Sequence, residues 1–121
     1  MAKRHSIRTK RVYEAPEARD GRRFLVDGLW PRGVSRESAR IEAWLREVAP
    51  SDGLRKWFAH EPAKWEEFRR RYALELEAKE ATWRPIMEAL AKGDVTLVFA
   101  AKDAQHSNAE ALRGYLEGKR G

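Results

Sequence analysis

The chain contains no cysteine, which excludes disulfide bonds, thiol nucleophiles and zinc held by thiolates. Histidine is nearly as scarce. Only three are present, and no two stand at ligand spacing such as i, i+4, so no metal site is predicted. No apolar run approaches the roughly 20 residues that a membrane-spanning helix needs. The basic start Met1-Ala2-Lys3-Arg4-His5 has no apolar stretch behind it to form a secretory signal. There is no glycine-rich phosphate loop and no dinucleotide fingerprint, so no cofactor is expected. Together these absences predict a cytoplasmic protein with no membrane association.

What is present describes a folded domain. At 121 residues the chain fits one domain spanning 1–121, with frayed ends expected at 1–6 and 118–121. A hydrophobic content of 42% with five Trp supplies a core, and 36% charged residues supply a solvated surface. The formal net charge of +6 makes anionic partners plausible: nucleic acid, nucleotides or phosphorylated metabolites.

Residues 7–13 mix Ile, Thr, Val and Tyr with basic residues and read as a short strand. Asp20-Gly21 marks a turn, and Phe24-Leu25-Val26 reads as a buried strand. Ser35 can cap a helix, and Ile41, Trp44, Leu45 and Val48 then follow at one-face helical spacing, stopped by Pro50. Ser51 can cap a short helix through Leu54, Trp57 and Phe58. Glu61-Pro62 opens a longer one whose stripe is Trp65, Phe68, Tyr72 and Leu76. Trp83, Ile86, Met87 and Leu90 form a further stripe, with Pro85 marking either a first turn or a kink. Residues 95–100 are a continuous run rich in β-branched and aromatic side chains, as a strand buried on both faces should be. Ala109, Leu112 and Leu116 line a last helix. This order predicts an α/β fold, helix-rich, with a small and mostly parallel sheet packed by several helices.

Two strand exits carry chemistry. After Leu25-Val26 come Asp27, Gly28, Trp30, Pro31, Arg32 and Gly33; after the run at 95–100 come Lys102, Asp103, His106 and Asn108. In open parallel sheets the ligand crevice lies at the carboxyl ends of the strands, so both exits are predicted to build one cleft. Asp27 can act as a base or orient a hydroxyl, or it can simply pair with Arg32. Arg32 offers a planar fork for phosphate or carboxylate. Trp30 can stack a ring or plug the core. Asp103 and His106 can move a proton beside the clamp Lys102, or Asp103 can cap the last helix. His60, between aromatics and Glu61-Pro62, can bind a ligand or bridge two helices.

Three blocks resemble the YeaO-like family, a domain of unknown function (number 488). They are Leu25-Val26-Asp27 with Leu29-Trp30-Pro31-Arg32-Gly33, then Leu54-Arg55-Lys56-Trp57-Phe58 through Glu75-Leu76, then Val95-Thr96-Leu97 with Lys102-Asp103, His106 and Asn108-Ala109. The resemblance implies a compact α/β domain and supplies no activity. Gly28 stands where the family pattern carries an arginine, Glu61 where it carries Asp, and Ser107 where it carries Asn. If that arginine contacts an anion, this chain lacks the contact.

The leading expectation is a small protein that binds or processes an anionic small molecule, such as a nucleotide or nucleoside derivative. If it is an enzyme, it is a hydrolase or transferase acting on a glycosidic or phosphate bond. Asp27, Asp103 and His106 would be catalytic, and Trp30, Arg32, Lys102, Asn108 and His60 would bind ligand. The alternative is a non-enzymatic nucleic-acid-binding or stress-related accessory protein. Weak, non-specific nucleic-acid binding fits either expectation.

Overall fold

The computed structural model describes residues 4–120. Four parallel strands, β1 (Ile7–Arg11), β2 (Arg22–Leu25), β3 (Ala43–Trp44) and β4 (Val95–Phe99), form one sheet in the order β1-β4-β2-β3. The α-helices are α1 (Arg36–Ala39), α2 (Asp52–Phe58), α3 (Trp65–Glu77), α4 (Glu80–Leu90) and α5 (Asn108–Lys119). This is the helix-rich α/β class with a parallel sheet that the sequence predicts.

Every residue of β4 is buried, because the strand has a neighbour on each side and cover on both faces. Side chains alternate across a strand, so one run of residues feeds two layers. On one face Phe24, Val26, Leu97 and Phe99 pack against Phe68, Tyr72, Leu76, Ile86 and Leu112. On the other, Leu25 and Val98 meet Val12, Ala39 and Ile41, with Trp30 and Trp44 closing the layer. That second layer also holds a buried ion pair. Arg23 donates to Asp20 at 2.8 Å, and Lys10 reaches the same carboxylate at 3.0 Å. Burial pushes Asp20 up, but bonds from the Glu17 amide, Lys10 and Arg23 outweigh it and leave the carboxyl below its ordinary range.

The predicted helix through Ile41, Trp44, Leu45 and Val48 is overturned. Ser35 does cap a helix, its side chain accepting from the Ser38 amide, but α1 lasts one turn. Arg40 takes a left-handed conformation (φ 52°) and ends it. The Glu42 and Leu45 amides then donate to the Arg23 and Leu25 carbonyls, each at 2.8 Å, and the segment becomes the edge strand β3 followed by a 3-10 turn at Arg46–Val48. Satisfying the exposed edge of β2 outweighs the helical periodicity.

The remaining helices fall where expected. Ser51 caps α2 by accepting from Leu54. Pro62 opens a 3-10 turn that runs into α3, and Phe68, Tyr72 and Leu76 are buried along its stripe. Pro85 lies inside α4, past its first turn. The Tyr72 hydroxyl donates to the Val48 carbonyl at 2.6 Å, and Glu75 accepts from the Ser51 amide and hydroxyl at 2.9 and 2.6 Å. These bonds bolt α3 to the segment that leads into α2. Of the ends expected to fray, residues 1–3 and 121 lie outside the description. Ser6 donates to Asp94 at 2.7 Å, and α5 runs on to Lys119.

Candidate functional site

β2 and β4 are parallel neighbours, so both leave the sheet at the same edge. Their exit loops, with α2, surround a cleft of about 520 Å³, within the range of small-molecule sites. Asp27, Trp30, Arg32, His60, His106 and Asn108 all line it. Lys102 and Asp103 do not belong to its lining and are exposed.

The two loops are tied together. The Ala100 amide donates to Asp27 Oδ2 at 2.9 Å, and Asn108 Nδ2 donates to the Val26 carbonyl at 3.1 Å. Arg11 Nε donates to the Ala101 carbonyl at 2.9 Å, and the Tyr13 hydroxyl donates to the Arg32 carbonyl at 3.2 Å. Asp27 forms no ion pair with Arg32, so the structural alternative for this pair does not hold. Burial pushes the Asp27 carboxyl above its ordinary value, against the Ala100 amide, Asn108 and the charge of Arg55.

Trp30 takes the core role considered for it and also lines the cleft. Its Nε1 donates to the Val34 carbonyl at 2.7 Å, and its ring meets Trp44 edge to face with centroids 5.5 Å apart. It closes the second core layer and is still only half-buried at the cleft. Trp44 in turn donates to the Asp27 carbonyl at 2.7 Å, which fixes the backbone under the acid.

Asp103 does not cap α5. It caps the 3-10 turn Ala104–His106 by accepting from the Gln105 and His106 amides at 3.1 and 3.2 Å, and Ser107 caps α5. A buried helix start needs a short acceptor immediately before it, and Ser107 fills that place. Asp103 Oδ2 also lies 2.8 Å from His106 Nδ1, and that hydrogen bond holds the Asp103 carboxyl below its ordinary value. The His106 ring rests edge to face on Trp65 at 5.2 Å. The dyad therefore orients the imidazole, with only the histidine lining the cleft. His60 is exposed, and it follows Ala59 in a left-handed backbone (φ 56° and 47°). Such consecutive strained residues cluster at functional sites.

Sequence reasoning missed Arg55 and Lys56, which line the cleft from α2, and Tyr13 from the end of β1. The signal for α2 was its short helix beginning directly after Pro50. Arg55 pairs with Asp52 at 2.5 Å, whereas Arg32 and Lys56 form no ion pair among the described residues. Gly28 also lines the cleft. A side chain there would meet Ala49 Cβ at 3.6 Å, an ordinary contact, so the backbone does not demand glycine. Among the described residues no group of three or more His, Asp or Glu is placed to hold a metal, and no helix is long and apolar enough to cross a membrane.

Residues 6–120 match the family model described as "Inactive DUF488-N3 subclade". The chain is 36% identical over 111 residues to the uncharacterised protein YeaO of Escherichia coli (strain K12), covering 92% of this chain and 96% of that protein. It is 35% identical over 119 residues to an uncharacterised protein of Mycobacterium tuberculosis (strain ATCC 25618 / H37Rv), covering 98% of this chain and all of that protein. No solved structure matches it.

Proposed function

The chain belongs to the YeaO-like DUF488 family, and on that premise we propose that it binds an anionic small molecule, a nucleotide or nucleoside derivative, in the strand-end cleft without turning it over. The observation that carries this reading is the pair of cations Arg32 and Lys56, which line the cleft and have no carboxylate partner among the described residues. Charged side chains committed to an ion pair must break it to bind an anion; these two need not. Trp30 offers a ring already pinned by its indole N–H, so stacking costs little ordering.

Two further points support binding over chemistry. The family description reads "inactive". Asp27, the one acid among the residues lining the cleft, already serves the Ala100 amide. The charge pattern supports a pocket over a polymer surface: on α3, Arg69, Arg70 and Arg71 are paired with Glu66 and Glu67 along the same helix. On this reading the protein works in the cytoplasm, where nucleotides are abundant.

Calorimetric titration with nucleoside monophosphates tests it. The expected result is saturable binding that Arg32→Ala with Lys56→Ala abolishes, together with crystallographic density against Arg32 or Lys56 and unchanged nucleotide after long incubation. Density elsewhere over an empty cleft, or affinity indifferent to both substitutions, would sink the reading.

A further inference from the structure

Asp27 is out of character with its surroundings. Arg32, Arg55 and Lys56 line the same cleft, yet the Asp27 carboxylate forms no ion pair among the described residues. Position explains this. The two unpaired cations are exposed, whereas Asp27, at the β2 exit, is half-buried. Its Oδ2 is fixed by the Ala100 amide, and its backbone carbonyl by the Trp44 indole at 2.7 Å. A carboxylate has about four lone-pair sites. The Ala100 amide occupies one, and the Asn108 side chain lies close enough to favour the charged form as well. A second acceptor candidate stands nearby in the same lining. His106 turns Nδ1 to Asp103 at 2.8 Å, leaving its other ring nitrogen without a partner among the described residues.

The cleft is therefore lined by two chemically opposite sets of groups, exposed cations and half-buried acceptors, together with the half-buried ring of Trp30. We propose that it selects ligands whose end opposite the anion is a flat heterocycle bearing paired N–H donors, as on the base-pairing edge of guanine, and that Asp27 receives those donors. This rests on the binding reading above and names the ligand class within it. Two parallel N–H groups match the two oxygens of a carboxylate, as an arginine fork does. An adenine edge sets an acceptor beside its donor, and that acceptor meets the carboxylate unfavourably.

The test compares inorganic phosphate, adenosine monophosphate, guanosine monophosphate and 1-methylguanosine monophosphate by calorimetry on the wild-type protein. Guanosine monophosphate should bind about tenfold or more tightly than adenosine monophosphate, a difference of about 1.4 kcal/mol. Methylation of N1, which removes one donor, should erase that preference. Asp27→Asn should erase it too, because the amide oxygen turns to the Ala100 N–H and presents its NH₂ to the ligand; with one negative charge fewer in the cleft, phosphate affinity should not fall. If that variant does not fold, the methylated ligand alone decides the matter. Guanosine monophosphate binding no better than the adenosine or methylated nucleotide would overturn this inference and leave the binding reading standing. No binding of any of the four would overturn both.

Discussion

The carboxylate of Asp27 accepts the amide hydrogen of Ala100 at 2.9 Å, joining the residue that follows β2 and Val26 to the residue that follows β4 across 73 positions of sequence. An acid that faces a cleft is thus also a strut between the two loops that build it. Its replacement has to be read on both counts, and pH separates them.

Burial raises the Asp27 pKa in the folded state, against the bonds from Ala100 and Asn108. The folded protein therefore binds this proton more tightly than the unfolded chain. That stabilisation is fully present below the unfolded value of about 3.9 and is lost as pH climbs through the raised folded value. Asp27→Asn keeps an acceptor for the Ala100 amide and carries no charge. It should hold or raise Tm at neutral pH, with the difference from wild type shrinking below about pH 4. Asp27→Ala leaves the amide unpaired and should be less stable than Asp27→Asn by about 1–3 kcal/mol. Thermal unfolding across pH checks this. A wild-type advantage over Asp27→Asn that grows toward neutral pH would contradict the sign.

Tyr72 is fully buried, and its hydroxyl satisfies the Val48 carbonyl at 2.6 Å. Tyr72→Phe keeps the ring and orphans that acceptor, at a cost of about 1–3 kcal/mol. Tyr72→Ala adds a cavity and should cost about 3–5 kcal/mol. In urea both should move the midpoint without changing the slope.

Gly21 has φ +64°, and a Cβ there would stand 2.0 Å from the Asp94 carbonyl oxygen, the acceptor of the Arg22 amide that starts β2. Gly21→Ala combines backbone strain with a clash against backbone. It should cost about 3 kcal/mol or more, summing strain and overpacking. Gly33 has φ +76° with nothing within 4 Å of the same position, so Gly33→Ala should cost only about 1 kcal/mol. Equal losses in denaturant unfolding would refute the steric argument.

The positive charge should give only weak, sequence-independent nucleic-acid binding, with Kd on the order of 10⁻⁴–10⁻⁶ M at physiological salt and a steep fall with added salt. Arg70 and Arg71 are held by Glu67, whose carboxyl the two guanidiniums pull down to about 2. That leaves α3 little free charge for phosphates. Fluorescence anisotropy on unrelated duplexes at several salt concentrations measures it. Tight, sequence-dependent binding would favour a nucleic-acid role over the pocket.

Legibility in the sequence followed burial. β4 was legible because all five of its residues are buried, which leaves a run of β-branched, aliphatic and aromatic side chains with no charge in it. The α3 stripe was legible because one helix face alone meets the core. Residues 41–48 misled because Ile41, Trp44 and Val48 turn inward from an edge strand and a 3-10 turn whose combined spacing imitates a helix. What separates the cases is the carbonyl row of β2, a partner that no local pattern records. At the site, Asp27, Arg32 and His106 were found because strand ends announce themselves. Arg55 and Lys56 were not, because their helix reaches the cleft through tertiary contacts made by Tyr72 and Glu75.

Arg120 donates to the His5 carbonyl at 2.6 Å. His5 precedes β1 and Arg120 follows α5, so both stand at the edge of the sheet opposite the strand exits. Anything attached at either position, whether an affinity handle, a surface tether or a fused partner, departs from the face remote from the cleft.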